Sequence, residues 1–184
     1  NNRTIEASTN TGAVSGDSKY VGGVCGRNYG TIQGCRNSGS VTGINYIGGV
    51  CGENNYATLE GICNTGAVNG DEYIGGVGGY NDEGSIEASY NTGSVSGSYR
   101  VGGVCGYNEK GGTIVNCFNE GTVSGTGHNV GGVCGDNISG TIKSCYNTAS
   151  VSGRFDVGGV CGENYNGTIT NCFNKGTVSG TGDY

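Results

Sequence analysis

One strand-rich unit recurs along this chain every 26 to 29 residues, and that period constrains the fold more than any other property. Copies run 21–46, 47–73, 74–100, 101–129, 130–156 and 157–184, opening at Val21, Ile47, Ile74, Val101, Val130 and Val157, and residues 1–20 are a truncated copy. No segment lies outside the repeat, so 1–184 is predicted to be a single elongated repeat domain without a linker. Each copy reads [VI]-G-G-V-C-G-x-N, then G-T-I-x-x-C-x-N, then x-G-x-V-x-G, followed by a short variable loop. The three blocks are strand-length, rich in β-branched residues and bounded by Gly or Asn, and no apolar stripe of helical period occurs. A unit this short cannot bury its own apolar side chains and must stack on its neighbours. The expected fold is therefore all-β: a parallel β-solenoid, right- or left-handed, of about seven coils with three short strands each.

Aligning the copies gives the columns of the stack. Val24, Val50, Val77, Val104, Val133 and Val160 share one position, and Val14, Val41, Val68, Val95, Val123, Val151 and Val178 another. A third holds Ile5, Ile32, Leu59, Ile86, Ile114, Ile142 and Ile169. These are expected to be inward ladders with rungs about 4.8 Å apart, so seven coils span about 34 Å. Two columns are asparagine, one running from Asn28 to Asn164 and the other from Asn10 to Asn174. Asn suits tight turns, and its amide can bond the next rung, so a turn ladder is the expected role. The sequons at Asn2, Asn137 and Asn166 share no column.

Glycine supplies 42 of 184 residues, and Pro, Met and Trp are absent. Without Pro or a strict Gly-X-Y period the chain is not collagen, and no apolar run is long enough for a membrane span. A net charge of -6 argues against a nucleic-acid partner.

Ten cysteines point to an oxidising compartment. The chain opens at Asn1 without a signal segment, so a processed or excised chain is expected. The cysteines fall one pair per copy: Cys25 with Cys35, Cys51 with Cys63, Cys105 with Cys117, Cys134 with Cys145, and Cys161 with Cys172. The third copy holds Gly78 and Ser89 instead, and joint loss is what direct partners show. Pairing between stacked coils is also within disulfide reach, but it leaves Cys105, Cys134 and Cys161 as an odd three. Disulfides within each coil are the expected arrangement, each closing a loop of about ten residues and worth about 2 to 3 kcal/mol. Zinc is the competing reading, but the spacings are not zinc-like and His128 is the only histidine. One tension remains: on a straight strand Ile32 and Cys35 face opposite ways, and Cys63 is displaced by one place relative to Cys35.

The block from Val157 to Gly180, VGGVCGEN followed by GTITNCFNKGTVSG, resembles the GLUG-motif repeat. That resemblance covers essentially the whole chain. It implies a bacterial cell-surface or secreted protein, and a non-catalytic part of it, since such repeats occur in non-catalytic parts of some IgA peptidases.

No hydrolase, phosphate-loop or metalloprotease motif occurs, the acidic residues are scattered, and no catalytic residue, metal site or cofactor is assigned. Two surfaces are candidates for binding. Aromatic residues in the variable loops, Tyr20, Tyr46, Tyr73, Tyr99, Phe155 and Tyr184, are expected to form one edge suited to a glycan or an extracellular protein. Tyr90, Phe118, Tyr146 and Phe173 form a shorter run. The residues flanking the inward valines, such as Ser94 and Ser96 around Val95, make flat hydroxyl ranks of the kind an ice-binding solenoid carries, although Glu6, Gln33, Glu60 and Lys143 interrupt the neighbouring threonine column. The leading reading is a rigid, non-enzymatic stalk or ligand-presenting segment of an extracellular bacterial adhesin. A self-assembling extracellular filament, stacked end to end through uncapped solenoid ends, is the alternative, and ice binding the second alternative.

Overall fold

The computed structural model describes residues 1–182. Every strand pair is parallel, and strands of successive copies lie side by side, giving three seven-stranded and two six-stranded sheets in strict sequence order. The chain is thus a β-solenoid of about seven coils. The three predicted strand blocks are all present, and two of them bend. In the copy opening at Ile47, the first block gives Asn45–Gly48 and Cys51–Asn55, the second gives Thr58–Glu60 and Cys63–Asn64, and the third gives Val68–Asn69.

Residues with left-handed backbone recur at fixed places in each copy, and one of them bends the second block, as between Thr58–Glu60 and Cys63–Asn64. One such corner repeats at Ala7, Gly34, Gly61, Ala88, Asn116, Ser144 and Asn171, with φ between 47° and 62°. A second repeats at Tyr20, Tyr46, Tyr73, Arg100, Asn129 and Asp156, with φ between 51° and 64°. Most of these residues are not glycine. A single left-handed L-residue costs about 1 to 2 kcal/mol, and the hydrogen-bonded neighbours on both sides hold each corner in that conformation.

Rung pairing follows the predicted columns. Ile5 lies opposite Ile32, Ile32 opposite Leu59, and so on to Ile169. The interior rungs of that ladder, from Ile32 to Ile142, are fully buried. The core has two compartments. One holds the isoleucine ladder, the Val50-type valines and most cysteines; the other holds the Ile47-type and Val68-type ladders. Within a copy the chain crosses between them twice, once at a Gly-Gly pair and once at an Asn.

These two crossings meet as a wall. A Cβ on Gly76 would collide with the Gly103 carbonyl of the next coil and with the Asn91 amide, so only glycine lets the backbone lie against the Asn ladder. That ladder is continuous. Asn64 Nδ2 donates to Asn91 Oδ1 at 2.7 Å, Asn91 to Asn119 at 2.8 Å and Asn119 to Asn147 at 2.8 Å, while each amide also donates to the carbonyl two residues on. The second ladder repeats the pattern from Asn28 through Asn54, Asn81, Asn108 and Asn137 to Asn164 at 2.7–2.9 Å. Both asparagine columns are turn ladders, as expected, and they satisfy buried polar groups that would otherwise cost about 1 to 3 kcal/mol each.

Among the described residues no helix is long and apolar enough to cross a membrane.

Candidate functional site

The cysteines, the aromatic edge and a polar cleft beside it are the places where chemistry departs from pure scaffolding. All ten cysteines are thiols in the structure. The left-handed corner at Gly34 explains how Cys35 reaches the interior. It ends the strand Thr31–Gln33 and turns the next residue inward, so Cys35 and Ile32 pack in one cluster although three residues apart. Cys117, Cys145 and Cys172 occupy the same position in later coils.

The two members of each pair within a coil bond to different backbone groups. Cys51, Cys105 and Cys134 donate to the carbonyl two residues ahead, at 3.1–3.2 Å. Cys117 and Cys145 donate to the carbonyl two residues behind, at 3.2 Å, and lie against the isoleucine strand of the preceding coil. The pair Cys51 and Cys63 is split outright. Ile62 takes the inward position and is fully buried, while Cys63 stands in the outer row opposite Arg36 and Tyr90. The one-place displacement visible in the sequence is this inversion of facing.

The aromatic edge also divides. Tyr20, Tyr46 and Tyr73 stack at 5.0 and 4.7 Å, and Tyr80 and Tyr107 close around them. Strand register then puts Arg100, not Tyr99, above Tyr73, because Tyr99 pairs with Glu72 and Val101 with Ile74. Tyr99 and Phe155 instead belong to the adjacent row, where they flank His128 at ring separations of 6.3 and 4.6 Å. His128, read from the sequence as having no catalytic context, is the middle ring of this second stack. Tyr184 lies outside the described residues. The shorter run is continuous: Tyr90, Phe118, Tyr146 and Phe173 stack at 4.8, 5.0 and 5.1 Å with planes within 5°.

Stacking uses up the ring faces. Arg27 covers Tyr20 at 4.5 Å, and Arg100 lies 5.0 Å from Tyr73 and 5.6 Å from Tyr107. Burial pushes the Tyr46, Tyr73, Tyr80 and Tyr107 phenols above their ordinary value, and Tyr80 is further bound to the Glu109 carboxylate. Within the ladders the rings offer edges to solvent, which suits a protein contact better than the face of a sugar.

Where the tyrosine column gives way to polar residues, Tyr99, Arg100, His128, Asn129, Asp156 and Glu163 line a cleft of about 360 Å³. Arg100 bonds Glu72 and, through Nε at 3.3 Å, Asp136 Oδ2. Asn129 donates to the same Asp136 oxygen at 3.1 Å and to Glu163 at 2.7 Å. Asp136 is 2 % exposed, and burial together with Glu163 pushes its carboxyl up. His128 Nδ1 lies 3.2 Å from Asp156. The 29-residue length of the copy 101–129 and its Gly125–Asn129 insertion were the only sequence signals for this cleft, since it is assembled from three successive coils.

No group of three or more His, Cys, Asp and Glu among the described residues is placed to hold a metal ion. The hydroxyl ranks are present on the Val95-type sheet, where Ser96 lies opposite Asn69 and Ser124, and Ser124 opposite Ser152.

The family model for the GLUG motif matches residues 17–42, 70–96, 97–124 and 153–179, more than half of the chain. This chain belongs to the GLUG-motif family. Each matched segment is 26 to 28 residues long and spans about one coil of the solenoid, so one GLUG motif corresponds to one rung of the ladder. No curated protein and no solved structure matches the chain.

Proposed function

We propose that this GLUG solenoid is a rigid, non-enzymatic extracellular module of a bacterial surface adhesin, holding or presenting binding parts at a fixed distance. The observation that carries the reading is continuity. Two asparagine ladders and the aliphatic columns run without a break from the first coils to the last, so no hinge interrupts the stack. Stability in such a stack is a sum of coil and interface contributions, and uninterrupted interfaces make a stiff rod. Reading the module as non-enzymatic is supported by the carboxylates being tied up: Glu53 by Arg27 at 2.5 Å, Glu72 by Arg100, and Asp82 by Lys110 at 3.0 Å. The bacterial surface location rests on the GLUG resemblance and on cysteine content.

Light scattering with negative-stain microscopy over a concentration range, followed by glycan and matrix-protein arrays, tests the proposal. A monomeric short rod with saturable binding on an array supports the adhesin module. Fibres one coil wide would move the function to filament formation, and ordered adsorption to ice crystals would move it to the hydroxyl face. A monomer that binds nothing would reduce the role to a spacer.

A further inference from the structure

The solenoid register brings cysteines of neighbouring coils together. Cys51 lies directly opposite Cys25, and Cys134 lies opposite both Cys105 and Cys161. In the other column, Phe118, Tyr146 and Phe173 are rung partners, which stacks the preceding residues Cys117, Cys145 and Cys172. There the Cys117 amide donates to Cys145 Sγ, and the Cys145 amide to Cys172 Sγ, each at 3.4 Å. Neighbouring parallel rungs sit about 4.8 Å apart, inside the range of about 4.4 to 6.8 Å that Cα atoms span across a disulfide.

We propose that on oxidation the cysteines join coil to coil along their columns: Cys25 to Cys51, Cys134 to Cys105 or Cys161, and Cys145 to Cys117 or Cys172. Cys35 and Cys63 stay reduced. Cys35 has Ile62 as its following rung, and Cys63 stands between Arg36 and Tyr90, so neither has a thiol on an adjacent rung. Gly78 separates Cys51 from Cys105, so the first column splits into a run of two and a run of three. In each run of three the middle sulfur has two equivalent partners, and two isomers form.

Two of the thiol pairs, Cys25 with Cys51 and Cys145 with Cys117, are already polarised. The Cys51 thiol bonded to it, with a smaller contribution from the amino terminus, holds the Cys25 thiol down at about 6, while burial pushes Cys51 well up. Cys117 does the same for Cys145, which is lowered as Cys117 is raised. One thiolate beside one thiol is the arrangement that thiol–disulfide exchange uses.

The oxidant is a low-molecular-weight disulfide such as oxidised glutathione. One protein thiolate attacks its S–S bond, forming a mixed disulfide and releasing one glutathione thiolate. The neighbouring rung then attacks the protein-side sulfur and releases the second. Two protein thiols become one disulfide, one glutathione disulfide becomes two thiols, and the two protons pass to the departing thiolates.

The test is to refold the reduced 184-residue chain in a glutathione redox buffer, alkylate the remaining thiols, digest without reductant and assign linked peptides by mass. Three bridges consume six of the ten cysteines, so four alkylated thiols are expected, with both isomers present for Cys134 and Cys145. Two variants separate this scheme from pairing within a coil. Cys35→Ser lowers the alkylated thiols to three and leaves the Cys25–Cys51 link in place, whereas C51S raises them to five by freeing Cys25. Serine already occupies the Cys35 column at Ser8 and Ser89, so the first variant keeps a side chain the fold accepts. Links from Cys25 to Cys35 or from Cys105 to Cys117, or ten alkylated thiols, overturn the proposal.

Discussion

Asn91→Ala removes one amide from the middle of an asparagine ladder, and its cost can be worked from the bonds it breaks. Asn91 is fully buried. Its Nδ2 donates to the Gly93 carbonyl at 2.7 Å and to Asn119 Oδ1 at 2.8 Å, and its Oδ1 accepts from Asn64 Nδ2 at 2.7 Å and from the Gly93 amide at 3.2 Å. Asn64 and Asn119 each retain a second partner, in Gly66 and Gly121, whereas the Gly93 turn loses both of its amide contacts. Four hydrogen bonds at about 1 kcal/mol each give a loss of about 4 kcal/mol, with the Gly93 groups supplying the larger share because they are left unsatisfied. The same substitution at Asn174 breaks three bonds in a half-exposed setting where water replaces them, so about 1 kcal/mol is expected. Urea unfolding followed by far-ultraviolet circular dichroism, with both variants beside the parent, reads the difference. Equal costs for Asn91→Ala and Asn174→Ala, or a cost below about 1 kcal/mol at Asn91, would refute the view that the ladder is a stabilising column rather than a by-product of turn geometry.

Further outcomes follow from the same structure. Ile86→Ala empties a fully buried rung and should cost about 3 kcal/mol in the same assay, against less than about 0.5 kcal/mol for the exposed neighbour Glu87→Ala. Gly76→Ala drives a Cβ into the Gly103 carbonyl and the Asn91 amide and should cost about 3 kcal/mol, whereas Gly34→Ala should cost about 1 kcal/mol. The milder figure reflects open space at Gly34 and the alanines that already hold that corner at Ala7 and Ala88; a reversed order of the two glycine variants would sink the argument. In the reduced chain, the iodoacetamide reaction rate of Cys25 should have a midpoint near pH 6, because its thiol is lowered and the thiolate persists above that value. A midpoint near pH 9 would show that the Cys51 contact does not form, and Cys51→Ala, which removes the donor, should move the midpoint upward.

The solenoid is legible in the repeat alone. A 26- to 29-residue period with recurring aliphatic and asparagine positions has one economical solution, in which like residues stack rung on rung, and the register found for Ile5 to Ile169 is the column read from the repeats. The Gly-Gly pairs were equally legible, although their reason, backbone packed against an amide of the Asn91 ladder, was not.

Facing was decided by tertiary structure. Alternation along a strand assigns Cys35 outward, and only the left-handed corner at Gly34 turns it into the core. That corner carries no residue signature, since Gly, Ala, Ser and Asn all fill it and the neighbouring rungs enforce the conformation. The same holds at Tyr73 and Arg100, where register across the variable loop placed Tyr99 one row away from the tyrosine column it joins by sequence alignment. The pairing of cysteines and the cleft between Tyr99 and Glu163 depend on these corners and on three coils at once. A repeat read one copy at a time fixes what each rung contains; the bends and the stacking fix which way its side chains point and what they meet.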